Sequence, residues 1–401
     1  RAQLCHDVVM TATVMESTAA LRAPQGRSAP LGVGIVGGGF MAEVHSRAAR
    51  AARGRLIGVV GSSPIRSLEI ADLLGVDTGF GSLDAMLADD RIQVLHVCTP
   101  NATHRDIAAA AIAAGKHVVC EKPLATTSTD AIALRDAAAS AGRVGAVPFV
   151  YRYHPIVREA RARVARGDLG RLLTIKGQYL QDWLLTETDE NWRVDPKHGG
   201  ASRAFADIGS HLVDLVEFVT GDRITRLAST TRTFIEHRGT APVTTEDAAA
   251  LIVQTAGGAI GTLLVSQVAA GRKNALSFEL SGATEAYAFE QEQPESLWIG
   301  RRRGSELLMR DGAELAPDAA RISVLPSGHP LGYQDAFTAF VTDTYAAIAA
   351  SVAGTAAPEG LPTFDDGVRA AIVTEAVLES AASGAWVDVA QPAIVVEGAA
   401  A

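Results

Sequence analysis

Cysteine is scarce in this 401-residue chain, and its distribution already excludes two architectures. Cys5, Cys98 and Cys120 are odd in number, far apart and free of any CxxC pair. That argues against a disulfide framework and a structural zinc site, and for a reducing compartment. Long apolar runs are also missing, so no bilayer-crossing segment is expected. Positive charge is not in excess: 36 Lys and Arg against 45 Asp and Glu leave a net charge of -9. Such a surface attracts neither nucleic acid nor an anionic membrane. The first thirty residues, Arg1 to Pro30, lack an apolar h-region and a twin-arginine signal, so no secretory peptide is expected and cytoplasm is the default location. That segment, with Met10 and Met15 as candidate native starts, reads as a tail or added extension without chemistry, and 391–401 reads as a C-terminal tail.

What the chain does have is ordinary globular composition, 48% hydrophobic and 20% charged, over a length that favours two domains. Its densest motif comes early. Val33 to Arg47, VGIVGGGFMAEVHSR, reads as a short buried strand, a glycine turn and a helix opening at Phe40 or Met41. Gly37-x-Gly39-x-x-Ala42 is the strand–turn–helix spacing of a dinucleotide site, with Ala in the third small position. Gly37 allows the tight turn, Gly39 lets backbone amides approach a pyrophosphate, and Ala42 lets the helix pack close to the strand. The helix N-terminus adds unpaired N–H groups and a partial positive charge. From Leu31 to about Ala146, apolar strands without alternation are separated by helices. This predicts a parallel sheet covered on both faces, an α/β Rossmann domain over 31–150. The second strand ends at Gly61, where an acidic residue commonly binds ribose hydroxyls. With no carboxylate to repel a 2′-phosphate, Ser62 and Ser63 can donate to it and Arg66 can pair with it, which favours NADP over NAD. The alternative is a polar turn capping the helix that starts near Pro64.

Two further motifs follow: Cys98-Thr99-Pro100-Asn101-Ala102-Thr103-His104, then Gly115 to Pro123 ending in Glu121-Lys122-Pro123. With the glycine turn at this distance, the chain resembles the Gfo/Idh/MocA oxidoreductase family over nearly all of Leu31 to Val389. The resemblance implies NAD(P)-dependent oxidation or reduction of sugars, cyclitols and related polyols. It also implies cofactor contacts at Thr99, Pro100, Asn101, His104, Glu121 and Lys122. The residues carry a reading of their own. Glu121 to Pro123 end a buried strand, at the carboxyl edge where α/β sheets bind ligands. Pro123 restricts Lys122 to an extended backbone, and an ammonium held there can favour a developing alkoxide during hydride loss.

The second part opens at Tyr151-Arg152-Tyr153-His154-Pro155. Family members often have Asn two residues before the arginine, where this chain has Val150; Tyr151 or Arg152 is a candidate to line the cleft, and Arg152 equally a candidate for a domain interface. Trp183 and Trp192, beside Asp182 and Arg193, suit the apolar faces and hydroxyl rim of a sugar, though both also read as core. From Gly199 to Asp214 and just beyond, the stripe Leu212, Leu215, Val216 and Val219 predicts a helix stopped by Gly221. Asp207, His211 and Asp214 then fall at i, i+4 and i+7 and share a face. Gly209 between them costs helix stability, which points to a close approach to the backbone. His211 can take the proton released as hydride leaves; Asp207 can orient it or tune it electrostatically, and Asp214 can orient it. The pattern matches the family, whose catalytic Asp and His carry over to Asp207 and His211. A metal lacks its third ligand here.

From Ile224 to Trp298, strands without intervening helices predict an α+β domain over 151–390 with a large open, mostly antiparallel sheet. The resemblance implies self-association through its broad face, as a homodimer or homotetramer. His329 and Tyr333 are candidates for the pocket rim. Gln178 to Trp183 and His329 to Tyr333 are similar to members that oxidise anhydrosugars or glycosides. Two rival functions stand beside this one: a non-catalytic dinucleotide or sugar sensor, against which Lys122, Asp207 and His211 argue, and redox-assisted glycoside cleavage with tightly held NAD.

Overall fold

The computed structural model describes Pro30 to Gln391. The readings made at Cys5, Met10 and Met15, and over 392–401, lie outside the described residues. Five short strands, β1 (Gly32–Val36), β2 (Arg55–Val60), β3 (Val94–Val97), β4 (His117–Cys120) and β5 (Gly145–Ala146), form a parallel sheet in the order β2-β1-β3-β4-β5. β1, β3 and β4 are buried along their whole length, as apolar runs covered on both faces must be. The Rossmann-like expectation holds. The covering helices begin and end where local chemistry dictates. The Ser63 hydroxyl accepts from the Arg66 N–H to cap helix Pro64–Leu74, and Gly75 ends it in a left-handed conformation.

The second sheet has nine strands: β6 (Leu172–Leu180), β7 (Ile224–Arg232), β10 (Ala248–Thr255), β11 (Ile260–Ser266), β12 (Ala275–Gly282), β13 (Ala286–Glu290), β14 (Ser296–Arg301), β15 (Gly304–Met309) and β16 (Val387–Asp388). A small hairpin, β8 (His237–Arg238) and β9 (Ala241–Pro242), stands apart from it. The order is β15-β14-β13-β12-β6-β11-β10-β7-β16, antiparallel except where β6 runs parallel to β11. β15 had no signature in the sequence, because it is almost wholly exposed and carries no alternation. One face is packed by helix Ser210–Thr220, whose Leu212 lies against Gly177 of β6. The other presents exposed Ile252, Ile260, Leu264, Trp298 and Leu307.

The two C-terminal helices reach beyond the second sheet to helices of the Rossmann half. Phe364–Ser383 packs on β7 and on helix Ser128–Ser140, while Tyr333–Ala353 packs on helix Phe40–Ala51 of the Rossmann sheet. Phe337, Phe340, Val341 and Ile348 share one core cluster with Val33, Val94 and Val119. This corrects an expectation: Tyr333–Ala353, at 21 residues, is long and apolar enough to span a membrane by length and composition. Its apolar surface is instead the cover for one face of the parallel sheet.

Candidate active site

One open cleft of about 1340 Å³ runs from the glycine turn after β1 to the start of helix Ser210–Thr220. Its volume exceeds the usual 300–1,000 Å³ of a drug-sized pocket, leaving room for a dinucleotide and a second small molecule. The motif loops supply one wall. Gly37, Gly39, Phe40 and Met41, then Ser62, Ser63 and Arg66, then Thr99, Pro100, Asn101 and His104, and finally Glu121 and Lys122 all line it. Gly37 is in the left-handed region at φ +115°, where a Cβ would also run into the Cys98 carbonyl. Gly39 begins helix Phe40–Ala51 with no side-chain cap, and a Cβ placed on it would meet nothing within 4 Å. The first N–H groups of that helix are therefore open to an anion in the cleft. The His104 ring lies 2.8 Å from the carbonyl oxygens of both Thr99 and Pro123, tying two motif loops together. Asn101 donates to the Gly199 carbonyl at 2.9 Å and joins this wall to the loop before Asp207.

The opposite wall centres on Lys122, Asp207 and His211. Lys122 Nζ donates to the Asp207 backbone oxygen at 2.8 Å and to its Oδ1 at 2.6 Å. Arg193 Nε lies 3.3 Å from the same Oδ1, and Gln267 Nε2 donates to Oδ2 at 2.8 Å. Burial opposes ionisation of Asp207, but the Lys122 and Arg193 charges hold its carboxyl well below the usual range. His211 is pushed the other way. Burial, with the Lys122 ammonium next, holds its imidazole well below the ordinary value, against the pull of Asp207. Its Nδ1 is buried without a partner, and the ring sits edge-on to Tyr151 (5.0 Å) and Phe149 (5.5 Å). These causes favour the neutral ring, which lines the cleft. Tyr151, Trp183 and Trp192 also line the cleft.

Several expectations are corrected. Of the two roles expected of Asp207, orienting His211 is the one corrected: both its oxygens are taken by Lys122, Arg193 and Gln267, and its charge is what reaches the imidazole. Phe205–Gly209 is a π-helical turn, which replaces the regular i, i+4 geometry behind the shared-face argument. Asp214 does not orient His211 but binds Arg152, whose Nε donates to Oδ2 at 2.8 Å. That pair, joined by Asp366, lines a separate cavity of about 240 Å³, so Arg152 is withdrawn from the cleft. The close approach at Gly209 comes from the chain itself, since a Cβ there would collide with the Phe205 ring. His329 is exposed on a loop outside the cleft lining, where its carbonyl accepts from Arg310 at 2.6 Å. Val150 is fully buried against the Rossmann side, so a polar group there has no cleft to reach.

The chain that carries these two walls is similar to known proteins over nearly its whole described length. An oxidoreductase family model described as an NAD-binding Rossmann fold matches residues 31–149, and the GFO/IDH/MocA C-terminal domain model matches 157–288. The levoglucosan dehydrogenase of Pseudarthrobacter phenanthrenivorans is 31% identical over 396 residues, covering 90% of this chain and 98% of that protein. The chain belongs to the Gfo/Idh/MocA family. A solved member, levoglucosan dehydrogenase in complex with NADH and levoglucosan, aligns with a TM-score of 0.83 at 30% identity over 90% of this chain and all of that one. An oxidoreductase domain protein from Kribbella flavida aligns with a TM-score of 0.83 at 35% identity over 91% of this chain and all of that one. A D-xylose 1-dehydrogenase (NADP(+)) of Haloferax volcanii is 32% identical over 207 residues, 51% of this chain and 59% of that protein. This Gfo/Idh/MocA member is accordingly an NAD(P)-dependent oxidoreductase, and the uncapped helix behind Gly39 fits the pyrophosphate such a cofactor brings.

Sequence reading missed Asn274 and Gln267 as site residues. Tyr151 and Tyr179 hydroxyls lie 2.6 Å apart, Tyr179 donates to Asn274 Oδ1 at 2.6 Å, and Asn274 Nδ2 donates to the Tyr151 oxygen at 3.1 Å. Gln181 donates to the same Oδ1 at 3.0 Å and accepts from Trp183 Nε1 at 2.7 Å. The only available signal was that both residues lie at the ends of expected strands.

Proposed function

We propose that this chain is an NADP-preferring dehydrogenase that oxidises a secondary ring alcohol of an anhydrosugar or glycoside. The observation that carries the reading is the convergence of Lys122, Asp207 and His211 with Trp183 and Trp192 in the cleft that begins at the glycine turn. The bound nicotinamide supplies the hydride acceptor or donor. Lys122, fixed by Asp207, directs its ammonium at the alcohol oxygen and stabilises the developing alkoxide. His211 accepts the hydroxyl proton, and in the reverse direction returns it. Trp183 and Trp192 offer apolar faces to the sugar ring, while Gln181, held in place by Asn274 and Trp183, offers its remaining amide hydrogen-bonding capacity to its hydroxyls. NADP preference rests on Gly61 in the acidic place, with Ser62, Ser63 and Arg66 on the cleft wall. Ser63 caps the following helix and Arg66 pairs with Glu69 at 2.7 Å, an exposed pair that a 2′-phosphate can displace. The exposed apolar face of the nine-stranded sheet is the surface for a homodimer or homotetramer.

The test is a fluorescence titration with NADPH and, separately, NADH, followed by a sugar screen with the tighter cofactor. Tighter NADPH binding and turnover on an anhydrosugar or glycoside are expected. Tighter NADH binding removes the cofactor preference but leaves the chemistry. Sugar release without net change in NAD(P)H would replace dehydrogenation by redox-assisted cleavage.

A further inference from the structure

The cleft contains a second buried carboxylate that the chemistry above leaves unused. Glu121, 6% exposed, directly follows β4, and the backbone N–H of Lys122 beside it donates to its Oε2 at 3.2 Å. The Lys122 ammonium is already held by Asp207, so it is not the partner of Glu121. That partner comes from behind the sheet. His45 Nε2 lies 3.0 Å from Glu121 Oε1, His45 Nδ1 lies 2.8 Å from His96 Nδ1, and His96 Nε2 lies 3.0 Å from the Tyr345 hydroxyl. Four elements thus supply one group each: helix Phe40–Ala51, β3, helix Tyr333–Ala353 and the end of β4. His45 and His96 are fully buried and Tyr345 nearly so. A polar file of this kind through the middle of a Rossmann core is costly unless every member is satisfied.

Proton placement gives the file a direction. Two facing ring nitrogens can share only one proton. With it on His96 Nδ1, His96 Nε2 accepts from Tyr345 and His45 carries its proton on Nε2, aimed at Glu121. Every acceptor then has one donor, and Glu121 is a carboxylate. Adding one proton reverses the hydrogen bonds and allows Glu121 to be neutralised. The groups facing the file favour the first arrangement. Burial holds the His96 imidazole well below its ordinary value, with His45 adding to the effect. For Glu121, burial opposes ionisation, but the His45 hydrogen bond, with Lys122 and His104 nearby, holds the carboxyl below its ordinary range. The remaining neighbours add no positive charge: Cys98 and Cys120 are raised by burial and by Glu121, and Tyr333 by burial with Tyr151, Glu121 and Asp207.

We propose that Tyr345, His96 and His45 are positioning residues that keep Glu121 ionised at the cofactor wall, and that this fixed charge favours the oxidised, cationic nicotinamide over the reduced, neutral one. The inference rests on the dinucleotide reading of the cleft and extends it. One unit charge in a partly dry site distinguishes two ligands that differ by one charge, which is how a protein tunes a cofactor it does not bond.

The experiment titrates the purified full chain with NADP⁺ and NADPH, and with NAD⁺ and NADH, from pH 6 to 9. In the His45→Leu variant the ratio of dissociation constants, oxidised over reduced, is expected to rise on the order of tenfold, and oxidised-cofactor binding to become pH-dependent. Glu121→Gln gives the same change without the pH dependence, and the double variant adds nothing further. His45→Gln, which keeps an N–H donor within reach of Glu121, recovers most of the wild-type ratio. Tyr345→Phe shifts the ratio in the same direction by less, and serves if thermal melting shows that His45→Leu does not fold. An unchanged ratio in the folded variants, or equal weakening of both cofactor forms, overturns the proposal. Wild-type protein that binds neither form overturns the dinucleotide reading as well, a result distinct from an unchanged ratio.

Discussion

The two walls of the cleft present different kinds of groups to it. The Rossmann wall works largely through backbone: the turn at Gly37 and the uncapped helix behind Gly39 sit within a few consecutive residues. The opposite wall works through side chains drawn from far apart, with Asp207 held by Lys122, 85 positions earlier, and by Gln267, 60 positions later. A backbone site fails when a Cβ intrudes, and a side-chain site fails when a side chain is cut back. Each wall therefore has its own mode of damage.

The largest test of that division is His211→Ala. It should lower kcat by roughly 10²- to 10⁴-fold, the usual worth of a general base, while leaving the dinucleotide Kd unchanged. Loss of cofactor binding in that variant would move His211 into the first wall and erase the contrast. Next comes Gly37→Ala, which forces a Cβ at φ +115° against the Cys98 carbonyl. Cofactor affinity and stability should fall together, by about 1–3 kcal/mol for the latter, as read by titration and thermal melting. Full affinity in Gly37→Ala would mean that the turn is not what cradles the phosphates. A sharper probe within the first wall is Arg66→Ala, expected to weaken NADPH about tenfold and leave NADH unaffected. Equal effects on both cofactors would remove the 2′-phosphate argument.

The smallest effect concerns stability below the second wall. His154, stacked under Tyr151, is lowered to about 4 by burial, and His117 is lowered to about 4 by burial and then by Arg143. Their unfolded counterparts, near 6.5, take up protons first, so protonation between these values favours unfolding. Stability is full above pH 6.5 and declines as pH falls towards 4. His154→Phe should flatten that decline in a series of melting curves; an unaltered slope would mean that other groups set it.

These differences mirror what could be read before the fold was known. The glycine turn, the Thr99 to His104 loop and Glu121-Lys122 were legible because each motif is contiguous and its neighbours are its context. Helix boundaries followed for the same reason, as with Leu83–Leu87 and the stop at Gly221. Exposed β15 was invisible, since a strand open to solvent leaves no alternation. Asp214 misled because its spacing from His211 says nothing of Arg152, 62 positions away, which captures it. Gln267 and Asn274 are single polar residues at strand ends, and their meaning depends on which strands become neighbours.

By itself, then, the sequence determined the Rossmann wall, the choice of Lys122, Asp207 and His211 as candidates that the fold brings into one cleft, and the alternation of elements that carries them. Tertiary structure decided which partners those groups keep: Arg193 and Gln267 on Asp207, Arg152 on Asp214, and the His45–His96–Tyr345 file on Glu121. The reason is physical. Local motifs are set by backbone conformation within a few residues, whereas partner choice is set by sheet order and helix packing, which bring together residues that no spacing rule connects.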